Sequence, residues 1–311
     1  MFRSQGRESS SGPRLPGKWL TISLFLAPAL VVYLVFVIIP IIQAAHFSLY
    51  KWNGLGPLED FIGLANYQVA LASEVFWQAV GNNVLVIVLS LLLQIPFSLG
   101  LAILLNRRFP GRAIFRLLFF VPYVLSEAIT GIVFSLLLQP DALVDSGLKG
   151  IGLEGLIQDW LGNTDIVMLT LFVIISWKYF GFHMILLLAG LQGIPREIEE
   201  AALIDGAGRR QAFRYVTLPL IGPTLRVSVF LSVIGALQLF DLVWVMTGGG
   251  PLTATTTMAV NMFKTGFTRQ QMGYGSALAV LLFVCALVVA LLYQRYVLRR
   301  DIDGAVTAYN G

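Results

Sequence analysis

Among the ionisable side chains inside the long apolar stretches of this sequence, three stand out: Glu127, Lys178 and Asp241. A charge in hydrocarbon is costly, so such residues point by default to a pathway or a buried partner. Tyr123, Ser126, Trp177, Tyr179, Gln238 and Trp244 lie near them on the same stretches. Tyr123 and Glu127 are four residues apart and Gln238 and Asp241 three apart, spacings that put each pair on one face of a continuous helix. A carboxylate or amide beside an aromatic ring suits a polyhydroxylated ligand such as a sugar, whose hydroxyls need hydrogen bonds and whose C–H faces stack on rings. Other uses stay open: Glu127 or Asp241 paired with Lys178 or capping a backbone carbonyl within a bundle, or the carboxylates as coupling groups of a proton- or sodium-driven secondary transporter. Acid–base catalysis has no support, because neither a nucleophile constellation nor metal-ligand spacing accompanies the carboxylates.

The elements that must position these groups are membrane spans. Of 311 residues, 57% are hydrophobic and 12% charged, whereas soluble domains carry about 25% charged residues. A water-soluble enzyme is thereby excluded. Six stretches, 19–45, 80–105, 114–138, 166–191, 219–246 and 276–297, are long and apolar enough to cross a bilayer. Each is expected to be a helix, because lipid forces the backbone to satisfy its own hydrogen bonds. The first far exceeds the apolar core of a signal peptide and reads as a retained anchor. Pro28, Pro40, Pro96, Pro122 and Pro223 are expected to kink or end helices, an irregularity suited to a bundle that rocks between states.

Lysine and arginine alternate in density along the connections. Four precede the first span; Arg107, Arg108, Arg112 and Arg116 join the second to the third; Arg196, Arg209, Arg210 and Arg214 join the fourth to the fifth; Arg295, Arg299 and Arg300 follow the sixth. The other loops hold Lys51, Lys149, Lys264 and Arg269. This asymmetry places both termini in the cytoplasm of a cell, with the chain in its inner membrane. It also accounts for the net charge of +4 without a nucleic-acid partner. The chain then divides into a cytoplasmic tail at 1–18, a first span at 19–45, an extracytoplasmic segment at 46–79, a core at 80–297 and a cytoplasmic tail at 298–311. The aromatic-rich segments 46–79 and 139–165 are expected to pack at the outer interface.

Several motifs lead nowhere. Gly150-Ile-Gly152-Leu-Glu-Gly155 fits a dinucleotide fingerprint but lacks a strand before it. There is no G-x-x-x-x-G-K-[ST], so ATP would have to bind another chain. Cys285, His46 and His183 supply no disulfide and no metal site. Cys285 and His183 are expected to serve helix packing, His183 with the further option of hydrogen bonding in a pathway.

The loop 192–219 carries the most information. Pro195 suits a first helical turn, Glu197, Glu199 and Glu200 complement its positive end, and Gly206 and Gly208 supply a turn. Arg209 to Tyr215 then form a second amphipathic piece that is expected to break at Pro219. On these residues alone the loop could be a plain interfacial connector. Glu200-Ala201-Ala202, three residues, Gly206, nine residues, then Val216-x-Leu218-Pro219 resembles the EAA loop of the membrane subunits of binding-protein-dependent ABC importers, with Val where the family often has Ile. Gln192-x-Ile194-Pro195, Asp205-Gly206-Ala207 and Thr247-Gly-Gly-Gly-Pro251 narrow the resemblance to carbohydrate permeases, most like the maltose-permease type of first subunit.

That resemblance implies an all-α permease bundle of the type I importer fold with six spans. It implies partners: a second homologous permease subunit, two cytoplasmic ATP-binding subunits that hold ATP and Mg, and an extracytoplasmic solute-binding protein that delivers a sugar. Glu200, Ala201, Ala202, Asp205 and Gly206 would then form the coupling helix that docks on the ATPase. Tyr123, Glu127, Trp177, Tyr179, Gly181, Gln238 and Asp241 would line the substrate pathway, and Gly248-Gly249-Gly250-Pro251 would face the binding protein or simply end a helix. No cofactor and no catalytic residue is expected on this chain.

Overall fold

Prolines inside the apolar stretches shape the helices more often than they end them. In the computed structural model, a π-helical turn stands immediately before each of three of them: Leu34–Ile38 before Pro40, Ser90–Gln94 before Pro96, and Phe213–Thr217 before Pro219. A proline has no N–H to give and its ring clashes with the carbonyl four residues back; a widened turn at that place takes up the conflict while the helix continues. Pro28 also sits inside a helix. Pro122 lies close to a helix end and Pro223 in a first turn, where the missing N–H costs little.

The structure describes residues 17–298. Most of both expected tails, with Arg3, Arg7, Arg14, Arg299 and Arg300, lies outside the described residues. Within them the chain is helical, with a lone antiparallel bridge between Tyr50 and Phe61 and no strand. Four helices are long and apolar enough to cross a membrane: α1 (Ile22–Phe47), α3 (Glu74–Asn106), α7 (Val167–Gln192) and α13 (Met272–Leu298). Two bent pairs bring the number of possible spans to six: α4 with α5 (Arg112–Val124 and Glu127–Leu137, 94°) and α9 with α10 (Arg209–Leu220 and Gly222–Leu237, 65°). The remaining helices are α2 (Ala65–Ala72), α6 (Leu143–Gly150), α8 (Arg196–Ile204), α11 (Asp241–Thr247) and α12 (Met258–Phe263).

Three expectations change. The third stretch is two helices rather than one continuous span, divided at Leu125 and Ser126. The fifth stops at Leu237, and Asp241 and Trp244 belong to the separate helix α11. The break expected at Pro219 falls instead at Ile221, after the π turn has carried the helix past the proline. In addition, the second span begins at Glu74, ahead of the expected boundary at 80.

The core forms around α7. One cluster joins Leu171, Phe172, Ile174 and Ile175 to Leu242, Val243 and Met246 of α11; another joins Met184, Leu187 and Leu191 to Ala102 and Leu105 of α3. A third holds Phe76 and Ala79 against Leu278 of α13. α1 buries none of its described side chains from 22 to 47, which leaves an apolar face for lipid or another subunit. The segment after it is ordered by Asn66, whose amide donates to the carbonyls of Ser48 (2.8 Å) and Tyr50 (3.0 Å). The segment after α5 is ordered by buried Asp145, which accepts from the Trp160 indole and the Asp141 backbone N–H, both at 2.9 Å.

Candidate functional site

Where a helix breaks inside a membrane, the last carbonyls lose their intrahelical donors and no water replaces them. Two breaks, the one between α4 and α5 and the one between α10 and α11, are sealed by side chains from other elements. At the end of α4, the Lys178 ammonium from α7 donates to the carbonyl of Leu125 and lies 3.5 Å from that of Pro122. At the end of α10, the Asn83 amide from α3 donates to the Ala236 carbonyl at 2.6 Å and its oxygen accepts from the Met258 N–H at 2.9 Å. The hydroxyl of Thr257 adds a bond to the Leu239 carbonyl at 2.7 Å. Lys178 and Asn83 are 2% and 1% exposed, so these bonds are made away from solvent.

The two breaks open on one cavity of about 420 Å³. Tyr123, Glu127, Tyr179, Gln238 and Asp241 all border it. The pairing by shared helix face does not hold, however, because Tyr123 ends α4 while Glu127 starts α5, and Gln238 follows α10 while Asp241 starts α11. The groups meet because α5 and α11 pack together: a Cβ on Gly131 would stand 2.8 Å from Val245 Cγ1. Glu127 occupies the first turn of α5, where the helix end favours its carboxylate, and accepts a hydrogen bond from the Tyr179 hydroxyl. Tyr123 stacks on Phe182 with 4.8 Å between ring centroids and meets Tyr179 edge-on at 5.9 Å.

Two of the seven pathway candidates lie elsewhere. Trp177 is 37% exposed and turns its ring onto Phe134 at 5.1 Å, outside the cavity lining. Gly181 is buried where α7 crosses α4; a Cβ there would stand 1.9 Å from the Phe119 carbonyl oxygen. Its absent side chain lets the two backbones touch. Lys178 forms no ion pair with Glu127 or Asp241, since its donors are used by carbonyls. His183 joins two helices, with Nδ1 2.8 Å from Ser228 Oγ of α10, and its ring borders the cavity.

Residues that the sequence reading passed over complete the lining: Ser90 and Gln94 of α3, Ser232 of α10 and Phe240. Ser90 and Gln94 carried a signal, since they are polar, four apart and set in an apolar run. The neighbours Asn82 and Asn83 carried another. Asn82 donates to the carbonyls of Ala254 and Thr256, both at 2.9 Å, and so ties α3 to the segment after α11.

Within the loop 192–219, Arg196–Ile204 form α8, whose Ile204 is 86% exposed. Its end is a Schellman turn: Gly206, at φ +88°, donates to Leu203 O at 3.1 Å, and Ala207 N–H donates to Ala202 O at 3.0 Å. Ala201, Asp205 and Glu200 are exposed, and Ala202 is half-buried. Glu199 instead turns inward and accepts from the Thr217 hydroxyl at 2.8 Å, which fixes α8 against α9. Glu200 borders a second cavity of about 650 Å³, together with Arg107, Arg108, Arg196 and Arg209.

Comparison with known proteins adds the family. The profile of the binding-protein-dependent transport system inner membrane component matches residues 94–301. The chain is 35% identical to the sulfoquinovosyl glycerol transport system permease protein SmoG of Agrobacterium fabrum, over 92% of both chains. It is 34% identical to the trehalose/maltose transport system permease protein MalF of Thermococcus litoralis, over 88% of this chain and 92% of that one. A chain from the crystal structure of a bacterial ABC transporter involved in the import of the acidic polysaccharide alginate matches with a TM-score of 0.78 at 25% identity, over 91% of this chain and 96% of that one. With its spans, its broken helices and its exposed α8 loop, this chain belongs to the family of binding-protein-dependent transport system inner membrane components.

Proposed function

We propose that this chain is the permease subunit of an ATP-driven importer that moves a carbohydrate through the cavity between α5, α7, α10 and α11. The observation that carries the reading is the convergence of the α4–α5 and α10–α11 breaks on one polar, aromatic-bordered cavity within a largely apolar bundle. The relatives and the structural neighbour named above are all described by carbohydrate cargo. Tyr123 and Tyr179 present ring faces, while Glu127, Gln238 and Asp241 present the hydrogen-bonding groups a sugar needs.

In this reading both termini and α8 face the cytoplasm, as the arginine distribution of the sequence favours. Exposed Glu200, Ala201 and Asp205, with Ala202 and the turn at Gly206, form the docking element for a cytoplasmic ATPase subunit. ATP and Mg are held by two such subunits, a second homologous permease completes the pathway, and an extracytoplasmic binding protein delivers the sugar. This chain itself catalyses no reaction. Closure of the ATPases moves α8, and α9 passes that movement through the bend at Ile221 to the cavity wall. Deleting this chain from cells should abolish uptake of one carbohydrate; unaltered uptake of every carbohydrate the parent strain imports would refute the reading.

A further inference from the structure

The cavity carries a charge, and that charge selects among carbohydrates. Its lining contains two carboxylates, Glu127 and Asp241, and no lysine or arginine. The nearby cation, Lys178, is 2% exposed and commits its ammonium to the carbonyls of Pro122 and Leu125. Counted with the two carboxylates, it still leaves the neighbourhood negative. The remaining polar lining, Gln94, Gln238, Ser90 and Ser232 with Tyr123, Tyr179 and the His183 ring, whose Nδ1 is taken up by Ser228, brings hydroxyls and amides, which suit uncharged hydroxyl groups. An anionic sugar entering here would lose its hydration beside like charges and find no guanidinium or ammonium in this chain's lining to replace it.

We infer that the cargo passing this chain is a neutral saccharide and that uronic and sulfonated saccharides are rejected at Glu127 and Asp241. This deepens the transport reading and rests on it. The names of the relatives do not decide the matter, because they include both kinds of cargo.

The test uses cells that express the complete importer, with a matched strain lacking this chain. Both are fed a mixture of neutral di- and trisaccharides together with their C6-oxidised uronate counterparts, and accumulated species are read by mass spectrometry. Chain-dependent accumulation of a neutral saccharide at least about tenfold above its uronate supports the inference. A uronate accumulated as readily as its neutral counterpart overturns it and leaves the transport reading intact. No chain-dependent saccharide at all removes the transport reading and the inference with it. A second arm separates this cavity from the selectivity of the binding protein. In Glu127→Gln/Asp241→Asn the neutral-to-uronate ratio should fall several-fold, and an unchanged ratio overturns the assignment to these residues. If the double variant fails to assemble, Asp241→Asn alone is read in the same way.

Discussion

The ammonium of Lys178 donates to the carbonyl of Leu125, the residue at which the third apolar stretch turns by 94°. One buried cation thereby closes the end of a helix that a different span supports. Replacing it by methionine keeps the shape and removes the donors, leaving the Pro122 and Leu125 carbonyls bare. Lys178→Met should lower the stability of the purified protein by about 2 kcal/mol, read by thermal unfolding in detergent. Lys178→Arg, which keeps donors, should recover part of the loss; equal stability of Lys178→Met and wild type would contradict the capping role.

Asn83 does the same work at the other break, 2.6 Å from the Ala236 carbonyl and 2.9 Å from the Met258 N–H. Hydrogen bonds between spans contribute about 1 kcal/mol each, so Asn83→Leu should cost roughly 2 kcal/mol. Asn83→Asp retains the acceptor for the Met258 N–H but sets a buried carboxylate oxygen against the Ala236 carbonyl, and is expected to unfold at a temperature no higher than that of Asn83→Leu.

Gly181 makes a steric prediction. With 1.9 Å between a built Cβ and the Phe119 oxygen, even Gly181→Ala must push α4 from α7. Membrane-inserted, monodisperse protein should drop sharply in that variant, as measured by size-exclusion of a fluorescent fusion. Trp177→Ala, outside the cavity, should leave both yield and uptake near wild type.

The segment after α5 separates exposed from buried charge. Lys149 and Asp141 form a 2.7 Å pair in solvent, which holds the Asp141 carboxyl below its ordinary range and raises Lys149. A lowered carboxylate stabilises above its unfolded pKa, and that gain disappears as pH falls through the folded value. Since both groups are exposed, Lys149→Gln should leave the melting temperature unchanged at pH 7. Asp145 is 2% exposed and holds the Trp160 indole, so Asp145→Ala should cost about 1–3 kcal/mol and expose the segment to protease.

Gly206 and Glu200 test the α8 proposal through different physics. At φ +88° a β-branched residue costs about 1–2 kcal/mol, so Gly206→Val should misdirect α8, whereas Gly206→Asn should be tolerated. Glu200 is exposed, and Glu200→Lys should keep the unfolding temperature while reducing co-purification of the ATPase severalfold. Full co-purification and uptake in both Gly206→Val and Glu200→Lys would contradict the docking role.

Much of this arrangement can be read in the residues alone, though one step of that reading fails. Long apolar runs mark the spans, because hydrocarbon tolerates little else, and scarce charges mark the cavity. Tyr123 with Glu127 and Gln238 with Asp241 do border the same space, yet a shared helix face is the wrong reason. The breaks at Leu125 and after Leu237 depend on donors from Lys178 and Asn83, dozens of positions away in the chain, and local spacing carries no trace of them. Trp177 and Gly181, candidates by resemblance, do not border this cavity. On α7 the cavity receives Tyr179 and His183, four apart, while residues two positions away point to other neighbours.

The central claim is tested most directly by uptake into proteoliposomes holding this chain, its partner permease and the ATPase subunits, with the binding protein outside and ATP inside. Saccharide accumulation should need ATP and the binding protein, persist when an ionophore collapses ion gradients, and be lost in Glu200→Lys. Accumulation that needs an ion gradient and continues without ATP would contradict that claim.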